Sequence, residues 1–241
     1  MSLPKLEVRP TADAVAHQAA STIVTAAAAA IDGSGKFTLC LAGGSTPKMT
    51  YELLAGDEFR GKIEWAKVHI FFGDERPVGP DHADSNYAMA KAALLDHVGI
   101  PVGQIYRMKG EDDPEAAAKS YGEMLKGEFG DGGFDLLLMG MGDDGHTLSL
   151  FPHTSALAEL EHRCVANPVE KLGQTRITIT APFANRSENV MAIITGENKA
   201  KALEAVLDDS SDPNEYPIKL IDPGPQRLVY LLDAAAAGMH E

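Results

Sequence analysis

Apolar residues in this chain arrive in short, almost uninterrupted runs: Lys36–Ala42 (KFTLCLA), Val68–Phe72 (VHIFF), Phe134–Met139 (FDLLLM), Asn189–Thr195 (NVMAIIT) and Leu228–Leu232 (LVYLL). Short runs without alternation predict strands covered on both faces, the condition of a parallel sheet. Between them the period changes. Ala12–Ile31 is alanine-rich, carries Val15, Ile23 and Val24 on a helical repeat, and stops at Asp32-Gly33-Ser34-Gly35, so it reads as a covering helix. Lys48–Leu54, a stretch from about Tyr87 to His97, Pro114–Phe129 before Gly130, and a segment ending near Leu207 read as further helices. Ile105-Tyr106 reads as a short strand. Strand and helix in alternation predict a three-layer α/β architecture, Rossmann-like, with a mainly parallel sheet and helices on both faces.

The carboxyl half adds a different pattern. Cys164–Asn167 reads as extended, and Thr175–Thr180 (TRITIT) alternates so that Arg176, Thr178 and Thr180 share one face, which suits an edge or half-exposed strand. These pieces predict a small additional lobe. Asp233–Glu241 reads as a small-residue tail. With no tandem repeat or low-complexity linker, residues 1–241 read as one elaborated domain with room for a sizeable core.

The chemistry gathers where the predicted strands end. Phe134–Met139 runs into Gly140, Gly142 and Gly145 and then His146, which predicts a buried strand, a tight turn and a following helix. A histidine at such a helix start stays neutral, because the positive end of the helix dipole disfavours protonation; it is then a candidate general base. A lone histidine beside an apolar run is more often structural, but three glycines and two acids in one loop exceed what a plain turn needs. After the first strand, Gly43-Gly44-Ser45-Thr46-Pro47 offers backbone N–H groups, two hydroxyls and a helix-starting proline, an anion or oxyanion cradle that matches neither GxxxxGK[ST] nor GxGxxG. After Val68–Phe72 comes Gly73-Asp74-Glu75-Arg76-Pro77, where a guanidinium between acids is suited to grip phosphate. The bland alternative is a solvated charge cluster. In Asp81–Asn86, Ser85 or Asn86 reads first as a helix N-cap. Arg176 is either a surface arginine or a second ligand-directed charge. Lys199 opposes the dipole of the helix it precedes, which hints at another task.

Charge and cysteine content narrow the classes. With 21 basic and 35 acidic residues the net charge is -14, which argues against nucleic acid or an anionic membrane as partner and requires that any phosphate site be a local cluster of basic residues. Cys40 and Cys164, without CxxC spacing, imply neither a disulfide framework nor a zinc knuckle and suit a reducing compartment. Met1–Pro10 is mixed and polar, unlike a signal peptide, and no apolar run is expected to reach the roughly 20 residues that span a bilayer. The expected location is the cytoplasm.

Taken in order, LAGGSTP at Leu41–Pro47, FFGDERPV at Phe71–Val78, ADSN at Ala83–Asn86 and GMGDDGHTLSLFP at Gly140–Pro152 resemble the 6-phosphogluconolactonase family, with TRITIT and TGENKAKAL (Thr195–Leu203) fitting its carboxyl half. The resemblance covers nearly the whole chain. Leu148 stands where the family usually has a small residue, and Asp143 fills a variable position. The resemblance implies hydrolysis of 6-phospho-D-glucono-1,5-lactone to 6-phosphogluconate, the second step of the oxidative pentose phosphate pathway. On that reading His146 activates water, Asp74 or Asp144 orients the imidazole, and N–H groups of Gly43, Gly44 or Gly142 receive the oxyanion. Arg76, Arg176 and Lys199 take the phosphate with help from Ser45 and Thr46, and Asn86 joins the substrate-binding set. No metal or organic cofactor is required, the partner is a small sugar-phosphate lactone, and the expected assembly is a monomer or weak homo-oligomer.

Two rivals come from nearby. Glucosamine-6-phosphate deaminases are similar in fold, but carry asparagine-glutamate-proline after the histidine and an acid-acid-tyrosine loop, where this chain has Ser149-Leu150-Phe151-Pro152 and Asp74-Glu75-Arg76. A non-catalytic sugar-phosphate sensor of the kind attached to transcription regulators would need a basic DNA-binding helix pair, and none follows Ala12–Ile31.

Overall fold

The computed structural model describes residues 4–224 and 226–239. In chain order its elements are β1 (Lys5–Arg9), α1 (Ala12–Ser34), β2 (Phe37–Leu41), α2 (Ser45–Ala55), β3 (Val68–Phe72), β4 (Asp74–Glu75), α3 (Asn86–Ala90), α4 (Pro114–Phe129), β5 (Leu136–Met139), β6 (Cys164–Val169), β7 (Gln174–Ile179), α5 (Ala181–Ala184), β8 (Val190–Ile194), α6 (Ala200–Leu207) and β9 (Leu228–Asp233). Six strands form a parallel sheet in the order β1-β9-β8-β5-β2-β3, and β4-β7-β6 form a small antiparallel sheet.

The apolar runs are strands because both faces of the large sheet are covered. Along β5, Leu136 and Leu138 enter the core beneath α1 and α2, while Leu137 and Met139 enter the core that holds Leu125 of α4 and Leu203 of α6. Each such leucine contributes about 2 kcal/mol by leaving water. Helix α1 is capped by Thr11, whose side chain accepts from Ala14 N, and stops at Gly35 (φ 79), whose N–H reaches Ile31 O. Among the described helices α1 is long and apolar enough to cross a bilayer by length and composition, which corrects the expectation that no run approaches that length. Its apolarity comes largely from alanine. Here Val15, Ala19, Ala20 and Ile23 are buried, and Ser21 and Thr25 return their hydroxyls to its own carbonyls.

Several local expectations are corrected. β1 is a strand at the edge of the large sheet, paired with β9; its charged alternation hid it. β7 is not an edge but the middle strand of the small sheet, flanked by β4 and β6; Thr178 and, just past its end, Thr180 are fully buried, and Thr178 Oγ1 accepts from Ser149 N of the loop after β5. The helix after the first glycine loop begins at Ser45, not Lys48. The stretch expected as a helix from Tyr87 to His97 is α3 followed by one π-helical turn, Lys91–Leu95. Ile105 makes only an isolated bridge with Ile70. Of the expected tail, Asp233 belongs to β9, and residues 240 and 241 lie outside the described residues.

The largest correction concerns the segment after β5. No helix follows it; Gly140–Pro152 is irregular, and the next helical turn is the 3₁₀ segment Ser155–Ala158. Gly145 (φ 73) and Leu148 (φ 54) both occupy the left-handed region, which interrupts any helix. Side chains take over the backbone's hydrogen bonds: Thr147 Oγ1 donates to Gly140 O at 2.7 Å, and Asn167 Nδ2 donates to Ser149 O at 2.8 Å. The dipole argument for a neutral His146 therefore does not apply.

Candidate active site

The strand order places β2 beside β5, yet β2 continues outward to β3 and β5 continues the other way to β8. That reversal opens a crevice at the carboxyl ends of the strands. A cleft of about 270 Å³ lies there, floored by Ala42, Met139 and Ile193 and walled by the loops after β2, β3, β5 and β8. Buried tyrosines pin two of those strand ends. Tyr51 Oη accepts from Ala42 N at 2.9 Å and donates to Ala42 O at 2.8 Å, and Tyr121 Oη accepts from Phe72 N at 2.9 Å.

His146 lines this cleft with 28% of its side chain exposed, enough for a water to reach it. Its Nδ1 lies 2.5 Å from Asp144 Oδ1, and Asp144 Oδ1 also accepts from His146 N at 3.1 Å. That contact selects the Nδ1–H tautomer and leaves the Nε2 lone pair available. The imidazole stacks on Phe151, centroids 4.1 Å apart at 24°. Burial alone would raise the Asp144 pKa, but hydrogen bonds from His146 and from the Lys171 ammonium outweigh it and hold the carboxyl well below its ordinary range. Gly142 makes this approach possible: a Cβ there would overlap the imidazole and lie 2.6 Å from Asp144 Oδ1. Between the two acids left open by the sequence, the structure pairs Asp144 with His146. Asp74 is engaged elsewhere, accepting from Ser149 Oγ at 2.6 Å and Asn86 Nδ2 at 3.1 Å, with an edge in the cleft.

Glu75 organises the neighbouring loop. Its Oε1 accepts from Arg76 N and Asn86 N at 2.9 and 2.8 Å, and its Oε2 from Ser85 Oγ and Tyr87 N, both at 2.9 Å. Burial raises its pKa against these four bonds. Ser85 is the N-cap of α3, accepting from Ala88 N. Asn86 is buried behind the cleft, donating to Asp74 O at 2.9 Å, and a Cβ on Gly43 would overlap its Oδ1. Asn86 thus supports two loops and does not line the cleft. Glu75→Gln would turn an amide NH₂ toward groups that all donate, so we expect about 2 kcal/mol of lost stability, read as a lower denaturation midpoint.

The basic groups converge as a phosphate would need. Arg76 and Lys199 line the cleft. Arg176 does not line it, but it lies on β7, which pairs with β4 just before Arg76 (Asp74 opposite Thr178, Glu75 opposite Ile177), and the Arg76 charge acts on it. Burial, then the adjacent Arg76 charge, lowers the Arg176 pKa. The Nε atoms of both arginines are buried without a hydrogen-bond partner among the described residues, an arrangement an anion would satisfy. Lys199 ends the 3₁₀ turn Glu197–Lys199 and caps α6, and this loop is held by Asp233, whose carboxylate accepts from Gly196 N at 3.0 and 3.1 Å. Gly43, Gly44, Ser45, Thr46 and Gly142 also line the cleft; Thr46 Oγ1 is tied to Thr195 Oγ1 at 2.6 Å. Sequence reasoning missed Thr195, the Phe151 stack and Lys171. Nothing in the short exposed turn Glu170–Leu172 marks Lys171 as a site residue.

Sheet and crevice together define a Rossmann-like α/β fold with its cleft over a topological switch point. A family model described as glucosamine-6-phosphate isomerases/6-phosphogluconolactonase matches residues 10–230, and the chain belongs to that family. It is 42% identical over 239 residues to a 6-phosphogluconolactonase of Nostoc sp., covering 96% of each chain. The 6-phosphogluconolactonase from Trypanosoma cruzi has the same architecture, with a TM-score of 0.86, 26% identity, and 99% and 97% of the two chains covered. A monomeric glucosamine-6-phosphate deaminase shares the fold at a TM-score of 0.81 and 20% identity, over 98% of this chain and 100% of the other. Fold alone therefore does not separate the two activities.

Proposed function

We propose that this enzyme hydrolyses 6-phospho-D-glucono-1,5-lactone to 6-phospho-D-gluconate, the second step of the oxidative pentose phosphate pathway, in the cytoplasm. The observation that carries the mechanism is the 2.5 Å contact between His146 Nδ1 and Asp144 at the cleft wall. Neutral His146 takes a proton from water at Nε2 as the water attacks the lactone carbonyl. Of the two loops the sequence offered as oxyanion donors, the Gly142 N–H is spent on His146 O at 2.8 Å, so N–H groups of the Gly43-Gly44 loop stabilise the tetrahedral oxyanion, an effect of roughly 3 kcal/mol per well-placed donor. The C1–O5 bond then breaks, and His146 returns the proton to O5. Asp144 keeps the imidazole in the required tautomer and stabilises the transient imidazolium. Arg76, Arg176 and Lys199 hold the 6-phosphate, and Asp74 accepts from a sugar hydroxyl. Ser149-Leu150-Phe151-Pro152 and Asp74-Glu75-Arg76 favour the lactonase over the deaminase.

The deciding experiment follows loss of freshly generated lactone with the spontaneous rate subtracted, beside ammonia release from glucosamine 6-phosphate. Accelerated ring opening without ammonia supports the reading; ammonia release, or no acceleration, overturns it. Arg76→Met is expected to raise KM about 10- to 100-fold, the value of a charge-assisted hydrogen bond, with a much smaller change in kcat because the phosphate is remote from the reacting carbonyl. Steady-state kinetics read both.

A further inference from the structure

We propose that Lys171 is a positioning residue for the base: from the β6–β7 turn it grips the far side of the Asp144 carboxylate and the Phe151 ring, and so governs both the orientation and the charge state of His146. The inference rests on the reading of His146 as the base. Three contacts converge. The Lys171 ammonium pairs with Asp144 Oδ2, the oxygen that His146 does not use. The same Nζ stands 4.8 Å from the centroid of Phe151, and His146 stacks on that ring. One cation therefore reaches both supports of the imidazole, from an element 27 residues beyond Asp144.

The contacts resolve a chemical difficulty. A carboxylate this close to an imidazole favours the imidazolium, which cannot act as a base near neutral pH. A second cation on the same carboxylate opposes that protonation by repulsion and by sharing the negative charge. In this way the small lobe supplies what a helix dipole would otherwise have supplied. The other charged groups in the cleft wall are Asp74, Arg76 and Lys199, and Asp143 and Glu170 are the sequence neighbours of the pair. Tyr216 packs beneath Gly145. A change confined to Lys171 leaves all of these in place. Because the Lys171 side chain is 51% exposed, its removal does not threaten the fold.

The test uses Lys171→Met and Lys171→Arg in the full chain. The His146 ring is titrated by NMR in the free protein, and kcat/KM for the lactone is measured against pH. Lys171→Met is expected to raise the His146 titration midpoint, since it removes the cation that shares the Asp144 carboxylate. The acid limb of kcat/KM should move up with it, while the alkaline plateau changes far less. Lys171→Arg should restore both. An unmoved or lowered midpoint in Lys171→Met, or an arginine variant that behaves like the methionine one, overturns the inference. The titration needs no turnover, so a shifted midpoint in a protein without lactonase activity would support the Lys171 coupling while removing the lactonase reading.

Discussion

Replacing His146 with alanine is expected to lower kcat for lactone hydrolysis at least about a hundredfold, the lower end of what a positioned general base contributes. The fold should survive. The ring is partly exposed, its one side-chain hydrogen bond among the described residues goes to Asp144, and its stacking partner Phe151 is in neither of the two core clusters. KM should change little, because the groups proposed to hold the phosphate, Arg76, Arg176 and Lys199, make no hydrogen bond to His146 among the described residues. Residual acceleration would come from the glycine-loop N–H groups and from substrate orientation, which His146→Ala leaves in place. Single-turnover measurement, with circular dichroism to confirm folding, separates a chemical defect from a binding one. A loss below about tenfold in a folded variant would show that another group takes the proton.

The parts legible in sequence were those in which one local signal had one physical cause. Apolar runs gave β2, β3, β5, β8 and β9 to within a residue or two, because a strand buried on both faces has little room for polar side chains. The glycine and acid clusters gave the cleft for a related reason: loops that approach one another closely need glycine, as Gly43 against Asn86 and Gly142 against His146 illustrate. Where competing causes met, the reading failed. β1 alternates charge because it lies at a sheet edge, and β7 alternates although it is central, since Thr178 and Thr180 spend their hydroxyls on Ile179 O and His162 O. The segment after β5 has the composition of a turn entering a helix, yet Thr147 and Ser149 bond to Gly140 and Asp74 instead. Lys171 left no trace at all. Its role depends on where the β6–β7 turn lands, which only tertiary structure fixes.

Gly142→Ala tests the geometry that sequence could not supply, and its expected signature is a large catalytic defect with little loss of stability. The added methyl would overlap the imidazole of His146 and approach Asp144 Oδ1 to 2.6 Å. Both obstructing groups are side-chain ends in a partly exposed pair, so they can swing aside at small cost to the fold. Gly142 N donates to His146 O at 2.8 Å, and that backbone bond does not require the side chains to stay. Swinging aside, however, breaks the Nδ1–carboxylate contact and carries Nε2 off its line to the substrate. A misplacement of about 1 Å costs on the order of a hundredfold in rate. The expected result is therefore a kcat near that of His146→Ala with a denaturation midpoint close to wild type, and the double variant should lose little more than either single one, because both remove the same functional unit. Additive losses would instead place the effect of Gly142 outside the pair, in the backbone of the loop that its N–H ties to His146 O. A midpoint that collapses would mean that the loop, and not the side chains, yields to the methyl group.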